Sequence, residues 1–549
     1  MPLTVTTITA DEYIANLGQF ESDASNWLNL YQECADYGMP NDNQITIKRS
    51  PGQKKLDTFQ TEAENDIIKL ASGLYSYMFP TDAKAFTIKI DNEELNDKDE
   101  VKQALTKAVS IVHEHLIQSP FRQMFFGFLK SLGCFGTGVM YEEPGKTQAV
   151  NFVNFHIKNV FYEVDDDGVI DTIYRKFEYT ARQAVKKFGE DNLGTLVNTA
   201  YESKAKQQRR KKFKFIHIVE PREDVDGKNT DPLTMDYSSV YVCQEDKMIV
   251  MESGYEEMPY QIAPFDQDAE EIRGRSPMMK MLPEIQMLGQ MKQTRIKGWE
   301  KICDPPAVFP DDGSIWPLAT QPGGVMYKRP GTDDPTWFEF KGDIAALDEA
   351  IKETKQDIKS GFFLDLLDVL IDRKNMTATE VRARIEQQLR FLTPIIGRLQ
   401  SGLFNPMIKR VINILIRAGK IVLPEVIKKA PYTIEYLGPL ALAMKTLETQ
   451  GFVIAMEQLK GFAEADRLEY LDNFKEDVIT RDLSRNNGVP ATWLNTTDEV
   501  KKIREARAEA QQQQALMENM PGLAKGAADL GKAPEDNSIT KQLIEGVAA

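Results

Sequence analysis

Apolar residues recur at helical spacing along the amino-terminal third of the chain. Residues 10–40, 57–79 and 98–132 each carry hydrophobic side chains three or four positions apart, the period of an amphipathic helix. The second segment meets Pro80, and proline ends a helix because it has no backbone N–H to donate. The pattern therefore predicts three helices before residue 133.

The period shortens between residues 139 and 180. β-Branched and aromatic residues are concentrated there in four short runs that predict strands: VMYEE, VNFVNF, NVFYEV and TIYRKFEY. Asp167 and Gly168 separate the last two runs and predict a hairpin turn. A helix is predicted over residues 181–203, and three later runs predict further strands: FKFIHIVEP, SSVYVCQ and KMIVMES.

Two long helices are predicted on either side of a segment rich in proline, glycine and aspartate. The first covers residues 276–303 and begins with Ser276 as its cap and Pro277 in its first turn. The second runs from residue 344 to about residue 370. The intervening residues 304–343 contain several aromatic side chains and predict a small β-containing module.

These two helices differ in charge. Residues 276–303 have five basic and two acidic side chains, whereas residues 343–372 have three basic and eight acidic ones. Opposite charges favour an antiparallel pair with the small module at its tip. Each exposed ion pair contributes only about 0 to 1 kcal/mol, so the charges select the partner and the register more than they add stability.

The longest helical pattern covers residues 379–419 and contains Pro394 and Pro406. Each proline removes a backbone hydrogen bond, so the pattern predicts a bent or segmented helix. The run YTIEYLG, which begins at Tyr432, predicts a strand, and residues 440–519 are predicted to be helical. The last residues, about thirty in number and rich in alanine, glycine and lysine, are expected to be mobile.

Length and charge limit the classes of protein to which this chain can belong. A chain of 549 residues is expected to form about two to four domains. It has no apolar run of the length that a membrane span requires, and its start lacks the features of a signal peptide, which indicates synthesis in the cytoplasm. The net charge is −16, opposite in sign to the surface of most DNA-binding proteins, so any contact with DNA would be local or weak.

The strongest basic cluster is the run KAKQQRRKKFKF, from Lys204 to Phe215. On its own it could be a nucleic-acid-binding patch. A solvated loop before the strand FKFIHIVEP fits it equally well. The sequence leaves both interpretations open.

Four cysteines lie far apart, and no two of them form a Cys-x-x-Cys pair. This spacing indicates neither a zinc site nor a disulfide framework, and it predicts reduced, partly buried thiols. The four are Cys34, Cys134, Cys243 and Cys303.

Motifs of enzyme chemistry are incomplete. The run PGKTQ ends like a phosphate-binding loop, but Met140 stands where that loop needs a glycine. The acidic run EVDDDGVID has Tyr174 where a calcium loop requires a bidentate glutamate. With only four histidines as well, the chain is predicted to have no catalytic, cofactor-binding or metal-binding residues and not to be an enzyme.

Segments spread over about residues 50–515 resemble the head-to-tail connectors, or portal proteins, of short-tailed bacteriophages. The most specific is TATEVRARIEQQLRFLTPIIGRLQ, with its Thr-Ala-Thr-Glu-Val opening and its later proline. Others are ASGLYSYMFP, HIVEPR, GRSPMMKMLPEIQMLGQM, TIEYLGPLALAMK and NNGVPATWL. The chain departs from the family at Arg273, where tyrosine is frequent, and at Ala85-Phe86, where Trp-Phe is frequent. These departures indicate a divergent member.

The resemblance implies an α+β, mainly helical portal fold with wing, stem, clip and crown regions, assembled as a ring of twelve subunits. The regions would be the wing over 1–275, the first stem helix over 276–303, the clip over 304–343, the second stem helix over 344–370, the channel loop over 371–378, the long bent wing helix and wing strand over 379–446, the helical crown over 447–520 and a mobile tail over 521–549.

The resemblance also suggests two sets of site residues. The residues expected to line the DNA channel are Arg373, Lys374, Asn375, Lys292 and Arg295. For the first two, a solvated turn between helices is the alternative. The clip residues expected to contact the motor or the adaptor are Trp316, Tyr327, Trp337 and Phe338. They could instead fill the core of the module or the contact between neighbouring subunits.

The implied partners are eleven further copies of the chain, double-stranded viral DNA bound without sequence preference, the terminase large subunit, the tail adaptor, and the scaffolding and major capsid proteins. No membrane and no cofactor is implied. The expected location is the portal vertex of the virion. The alternatives are another virion structural protein, such as a tail adaptor or internal core protein, and a packaging ATPase, which the incomplete phosphate-binding loop disfavours.

Overall fold

The computed structural model describes residues 8–48, 59–80, 85–92, 99–145, 148–203, 205–222, 232–308, 327, 329–331, 333, 336–337, 342–368, 391–422, 424, 431–437, 476–486, 495 and 499–511. The architecture is α+β, with helices in the majority. Contacts divide the chain into two units, Met1–Asp91 with Ala104–Leu440 and Asn92–Gln103 with Ala441–Ala549.

Helices occupy both units. They are α1 (Ala10–Asp23), α2 (Ser25–Gly38), α3 (Glu62–Met78), α4 (Asp99–Gln118), α5 (Phe121–Phe135), α6 (Ala181–Phe188), α7 (Thr195–Glu202), α8 (Lys206–Arg209), α9 (Pro277–Cys303), α10 (Ile344–Gly361), α11 (Leu364–Asp368), α12 (Asn405–Arg417) and α13 (Glu476–Asn486). Residues 391–399 and 499–511 are helical as well. In the second unit, Arg504 of the last segment donates to Asp477 of α13 at 2.9 Å.

The strands of the described residues belong to the first unit and form four antiparallel sheets. They are β1 (Phe86–Ile90), β2 (Thr137–Pro144), β3 (Val150–Asn154), β4 (Val160–Val164), β5 (Ile170–Thr180), β6 (Lys212–Pro221), β7 (Tyr237–Cys243), β8 (Met248–Tyr255), β9 (Tyr260–Pro264), β10 (Ala307–Val308), β11 (Thr336–Trp337) and β12 (Tyr432–Tyr436). The sheet orders are β4-β5-β6-β7-β8, β3-β2-β9, β1-β12 and β10-β11.

The predicted strands are confirmed, as is the hairpin turn between β4 and β5. Gly168 adopts a positive φ of 77° there, which costs glycine little. The Asp165 carboxylate accepts hydrogen bonds from the N–H groups of Asp167 at 3.0 Å and Val169 at 2.8 Å, so the acidic run closes a turn.

Three segments predicted as single helices are each divided in two. The first divides at Ala24, where no residue type forces a break. The second divides at Pro120, and the Ser119 hydroxyl accepts from the Phe121 N–H at 3.3 Å as the helix restarts. The third divides at Gly189, whose φ of 85° is unfavourable for other residues.

The second charged helix is also shorter than predicted, because α10 ends at Gly361 rather than near residue 370. Phe363 has a φ of 58°, and α11 follows it. Phe362 and Leu364 are both buried. Side chains two positions apart on one helix point about 200° apart, so a break is needed for both to face the core.

The irregular helix predicted from Pro394 and Pro406 is confirmed where the structure describes it, and residues 379–390 lie outside the described ranges. A π-helical turn, Gln400–Phe404, links residues 391–399 to α12. The turn ends two residues before Pro406, whose missing N–H prevents a regular bonding pattern. It also buries Leu403 and Phe404.

The five-stranded sheet is covered on both faces, which explains the apolar run of β6. Phe213 and Phe215 pack against α6 and α7, whereas Ile216 and Ile218 pack beneath α1. Because side chains alternate along a strand, only a strand buried on both faces has this composition.

Arg410 ties α12 to the sheets of the first unit, although only 3% of its side chain is exposed. Its Nη1 donates to the backbone oxygen of Glu257 at 2.6 Å and to Oε2 of the same residue at 3.2 Å. Its Nη2 donates to the backbone oxygen of Glu142 at 3.3 Å. Burial raises the pKa of the Glu142 carboxyl well above its usual range, and the charge of Arg410 acts in the opposite direction.

The cysteines are separate thiols, as predicted. Cys34, Cys134 and Cys243 are buried, and Cys303 is exposed at the end of α9. Burial raises the pKa of the Cys34 thiol to about 12 and that of Cys243 to about 11.

Candidate functional site

The amino-terminal end of α9 is anchored to the core by two backbones in contact. Gly136, with a φ of 72°, links α5 to β2. A Cβ atom there would overlap the carbonyl oxygen of Gly274, and a Cβ atom on Gly274 would overlap that of Gly136. The Gly274 N–H donates to Thr137 Oγ1 at 3.0 Å. Gly136 therefore permits a close approach of two backbones at the connection from α5 to β2.

Ser276 makes two hydrogen bonds at the start of α9. Its hydroxyl donates to the backbone oxygen of Cys134 at 2.9 Å and accepts from the Met279 N–H at 3.0 Å. The second bond is the predicted helix cap. The first fixes the cap to the end of α5.

The predicted antiparallel pair is confirmed, because residues later in α9 contact residues earlier in α10. Met281 meets Gly361, Met291 Sδ accepts from the Thr354 hydroxyl at 3.9 Å, and Arg295 Nη1 donates to Asp348 Oδ1 at 3.2 Å. Among the described residues, that last contact is the one direct ion pair between the two helices.

A third helix completes the charge pairing. Lys292 of α9 places Nζ 2.6 Å from both carboxylate oxygens of Glu62 in α3, and Lys355 of α10 places Nζ 2.9 Å from one of them. The Lys292 side chain is 13% exposed. Burial alone would raise the pKa of Glu62, but hydrogen bonds and charge from the two lysines outweigh it and lower the pKa to about 2. Glu62 thus joins three helices.

Before Lys292, one face of α9 packs against the core. Beyond Lys292, no described residue of the chain covers the same face. Ile296, Trp299 and Ile302 are exposed there. The Arg295 guanidinium lies 4.9 Å from the centre of the Trp299 ring, a cation–π contact. On α10, Glu349, Glu353 and Asp357 are spaced one turn apart and exposed.

Replacing Glu62 with glutamine is expected to lower the free energy of unfolding at pH 7 by about 2 kcal/mol, because charge-assisted hydrogen bonds to two lysines are lost. The folded pKa of about 2 lies below the usual value of 4.5. The stabilisation is therefore present above pH 4.5 and is lost as the pH falls towards 2. Urea unfolding of both proteins at pH 7 and pH 3 should show the difference shrinking at low pH.

Glu349→Gln is the matched control, since Glu349 pairs with Lys352 at 3.2 Å while both side chains are exposed. Its loss at pH 7 is expected to be about 0.5 kcal/mol or less. Equal losses for the two variants at pH 7 would contradict the special position of Glu62.

The structure separates the predicted site residues into three groups. Lys292 and Arg295 lie on one side of α9, and both are paired with carboxylates. Tyr327 is 68% exposed, and Trp337 is 50% exposed on β11 opposite Ala307. The others lie outside the described residues: Arg373, Lys374, Asn375, Trp316 and Phe338. Contact with DNA, motor or adaptor stays a prediction for all of them.

The pKa of His217 is strongly shifted, yet this residue belongs to the interior. Its Nδ1 lies 2.6 Å from the Tyr260 hydroxyl and its Nε2 lies 3.0 Å from the Ser239 hydroxyl. Burial lowers its pKa well below the usual range, and the charge of Arg175 lowers it further. The ring is completely buried, so no substrate reaches it, and its bonds hold β6 to β7 and β9.

Neither a cluster of metal-binding side chains nor a membrane-spanning helix occurs in the described ranges. Across those ranges, histidine, cysteine, aspartate and glutamate nowhere gather in a group of three or more that could hold a metal ion. Nor does any described helix have the length and apolar character needed to cross a membrane.

The chain belongs to the family of bacteriophage head to tail connecting proteins, whose model matches residues 10–494. It is 26% identical over 544 residues to the probable portal protein of Bordetella phage BPP-1, covering 96% of both chains. It is 26% identical over 541 residues to the portal protein of Salmonella phage epsilon15, covering 95% of both. The chain is accordingly a structural head-to-tail connector of the portal type, placed at the junction of phage head and tail.

Proposed function

We propose that twelve copies of this chain form a ring at the capsid vertex through which the phage genome enters and leaves the head. The alignment with two portal proteins over 95–96% of both lengths is the observation that carries this proposal. A tail adaptor or an internal core protein would not be expected to match portal proteins from end to end.

Within this ring, α9 and α10 would be the stem, residues 304–343 the clip, 371–378 the channel loop and 447–520 the crown, with the wing formed by residues 1–275 and 379–446. The antiparallel α9–α10 pair supports the stem, because it extends from an anchored base at Gly136 and Gly274 to exposed apolar residues near its tip. Exposure of Tyr327 and Trp337 supports a clip that docks first the terminase large subunit and then the tail adaptor. Scaffolding and major capsid proteins would contact the ring at the vertex.

Weak contact with DNA is the property that such a conduit needs. Strong phosphate contacts repeated around a ring would hold the duplex and prevent sliding. Lys292 and Arg295 each share their charge with a carboxylate, so on a channel wall they would attract phosphate only weakly. Arg373, Lys374 and Asn375 of the proposed channel loop would then be nearest to the DNA.

Electron microscopy of the purified full-length chain tests the assembly. We expect rings with twelvefold symmetry and a central hole wide enough for a DNA duplex. Particles that stay monomeric, or rings closed at the centre, would overturn the proposal. Loss of rings after Glu62→Gln, with the fold retained, would place the α3–α9–α10 contact among the requirements for assembly.

A further inference from the structure

Positive charge is concentrated in one part of this acidic chain. Residues 181–214 contain ten basic and three acidic side chains, whereas the whole chain has a net charge of −16. This segment covers α6, α7, α8 and the start of β6, and none of it belongs to the α9–α10 pair. A charge imbalance of this kind within one segment indicates a surface for an anionic partner.

The fold brings these basic residues together. The Ala181 N–H at the start of α6 donates to the backbone oxygen of Lys211 at 3.2 Å, which places Arg182 beside the entry to β6. α6 also touches α8, so the basic residues of α8 lie on the same end of the sheet. The basic side chains of α6, α8 and the turn before β6 therefore define the basic patch: Arg182, Lys186, Lys206, Arg209, Arg210 and Lys211.

The hydrophobic core forces the basic side chains outwards. On α6, Ala184 and Phe188 face the core, and Arg182 and Lys186, one turn apart, are exposed. On β6, Phe213 packs against α6 and α7, so Lys212 and Lys214 point to the opposite face of the sheet and lie outside the patch. The same pattern that folds this end of the protein therefore builds the basic patch.

Most of this charge is not neutralised within the described residues. Lys212 pairs with Glu178 at 3.3 Å, and both side chains are exposed. The nearby Glu245 and Asp246 accept hydrogen bonds from the backbone N–H groups of Lys214 and Leu196. Across the ranges that the structure describes, no ion pair is formed by Arg182, Lys186, Lys206 or Arg210.

We propose that the basic patch binds the phosphate backbone of double-stranded DNA, without sequence preference and apart from the channel. At about 0.15 M salt, charges are screened beyond about 8 Å, so the acidic remainder of the chain does not cancel a patch of this size. Basic residues one helix turn apart are separated by about 5 to 6 Å. Successive phosphates of one DNA strand rise by about 3.4 Å, so each basic residue can meet about every second phosphate.

The composition of the patch favours DNA over an acidic protein. Protein interfaces are built around a buried core of aromatic and aliphatic side chains. Leu196 is the one large hydrophobic residue exposed among the described residues of this segment. Interfaces with DNA are polar and strongly basic, and arginine matches phosphate geometry. The inference goes beyond the proposed channel, because it assigns DNA contact to a different surface.

The test uses the full-length chain and a fluorescent DNA duplex of about 30 base pairs. Binding is followed by fluorescence anisotropy between about 50 and 200 mM salt. The variant combines Arg182→Ala, Lys186→Ala, Lys206→Ala and Arg210→Ala. We expect its logarithmic salt slope to fall by about 3 to 4 and its affinity to drop at least about tenfold at low salt. The pair Arg182→Gln and Lys186→Gln should give about half of the change in slope.

The matched control replaces four exposed basic residues that are scattered elsewhere with alanine, namely Lys48, Lys107, Lys409 and Lys420. It has the same net charge as the patch variant, so it should keep nearly the full salt slope of the original protein. Equal binding by both variants, or no binding by the original protein, overturns the proposal.

Competition decides between classes of partner. If polyglutamate displaces the duplex as well as an equal charge of unlabelled DNA does, the patch is a site for an acidic protein and the DNA assignment fails. Electron micrographs of the same samples separate this inference from the proposed function. If rings form normally but DNA binding does not depend on the patch, the inference fails and the proposed ring stands.

Discussion

Gly136→Ala is expected to lower the free energy of unfolding by about 3 to 5 kcal/mol. Two costs add. A side chain in the left-handed region costs about 1 to 2 kcal/mol, and Gly136 has a φ of 72°. The new methyl group would also overlap the carbonyl oxygen of Gly274, so the segment before α9 must move away and lose its contact with Thr137. Chemical unfolding measures the loss, and proteolysis near residue 274 should become faster.

Gly168→Ala is the control that separates the two costs. Gly168 has a φ of 77°, almost the same as Gly136, yet nothing lies within 4 Å of the position a Cβ atom would take. Only the conformational cost of about 1 to 2 kcal/mol should appear. If the two variants lose the same stability, the contact between the Gly136 and Gly274 backbones does not hold α9 in place.

Arg410→Met is expected to cost about 3 to 5 kcal/mol, because it removes one member of a buried, charged hydrogen-bond network. Methionine keeps much of the volume but leaves the backbone oxygens of Glu142 and Glu257 without their donors. The loss should be seen as a lower midpoint in urea, with faster amide exchange along α12 than elsewhere in the first unit.

Arg417→Met provides the comparison on the same helix. Arg417 pairs with Glu256 and with Glu257 at 3.2 Å, but 40% of its side chain is exposed. Its loss should be about 1 kcal/mol or less. Should Arg410→Met fail to fold, Arg410→Lys keeps the charge without the planar fork and should give an intermediate loss. A lysine variant as stable as the original would contradict a role for the fork geometry.

Local patterns were sufficient for most elements and for the central helix pair. The spacing of apolar residues predicted α9 to within one residue, because Ser276 and Pro277 mark its start and Pro305 lies just beyond its end. Opposite charges predicted its partner. The breaks at Ala24 and Phe363 were missed, since each depends on which side chains the distant core accepts rather than on a local helix-breaking residue.

Site residues were harder to predict than elements. Glu62 precedes Lys292 by 230 positions, and an acidic residue in a first helical turn already has a local explanation. The contact between Gly136 and Gly274 likewise joins segments that are distant in the sequence, so local patterns do not predict it. Lys292 and Arg295 were predicted as channel residues, which stays a prediction, and the carboxylates that share their charge could not be read from spacing.

The distribution of thiols provides an internal reporter. Cys34, Cys134 and Cys243 are buried, and Cys303 alone is open to solvent at the carboxyl end of α9. A maleimide dye should therefore attach to the native protein at one position, with no engineered cysteine. That position is about 40 Å along the helix from Pro277, at 1.5 Å per residue. A dye attached to Cys303 of the natural sequence can thus report on binding at the far end of the helix pair.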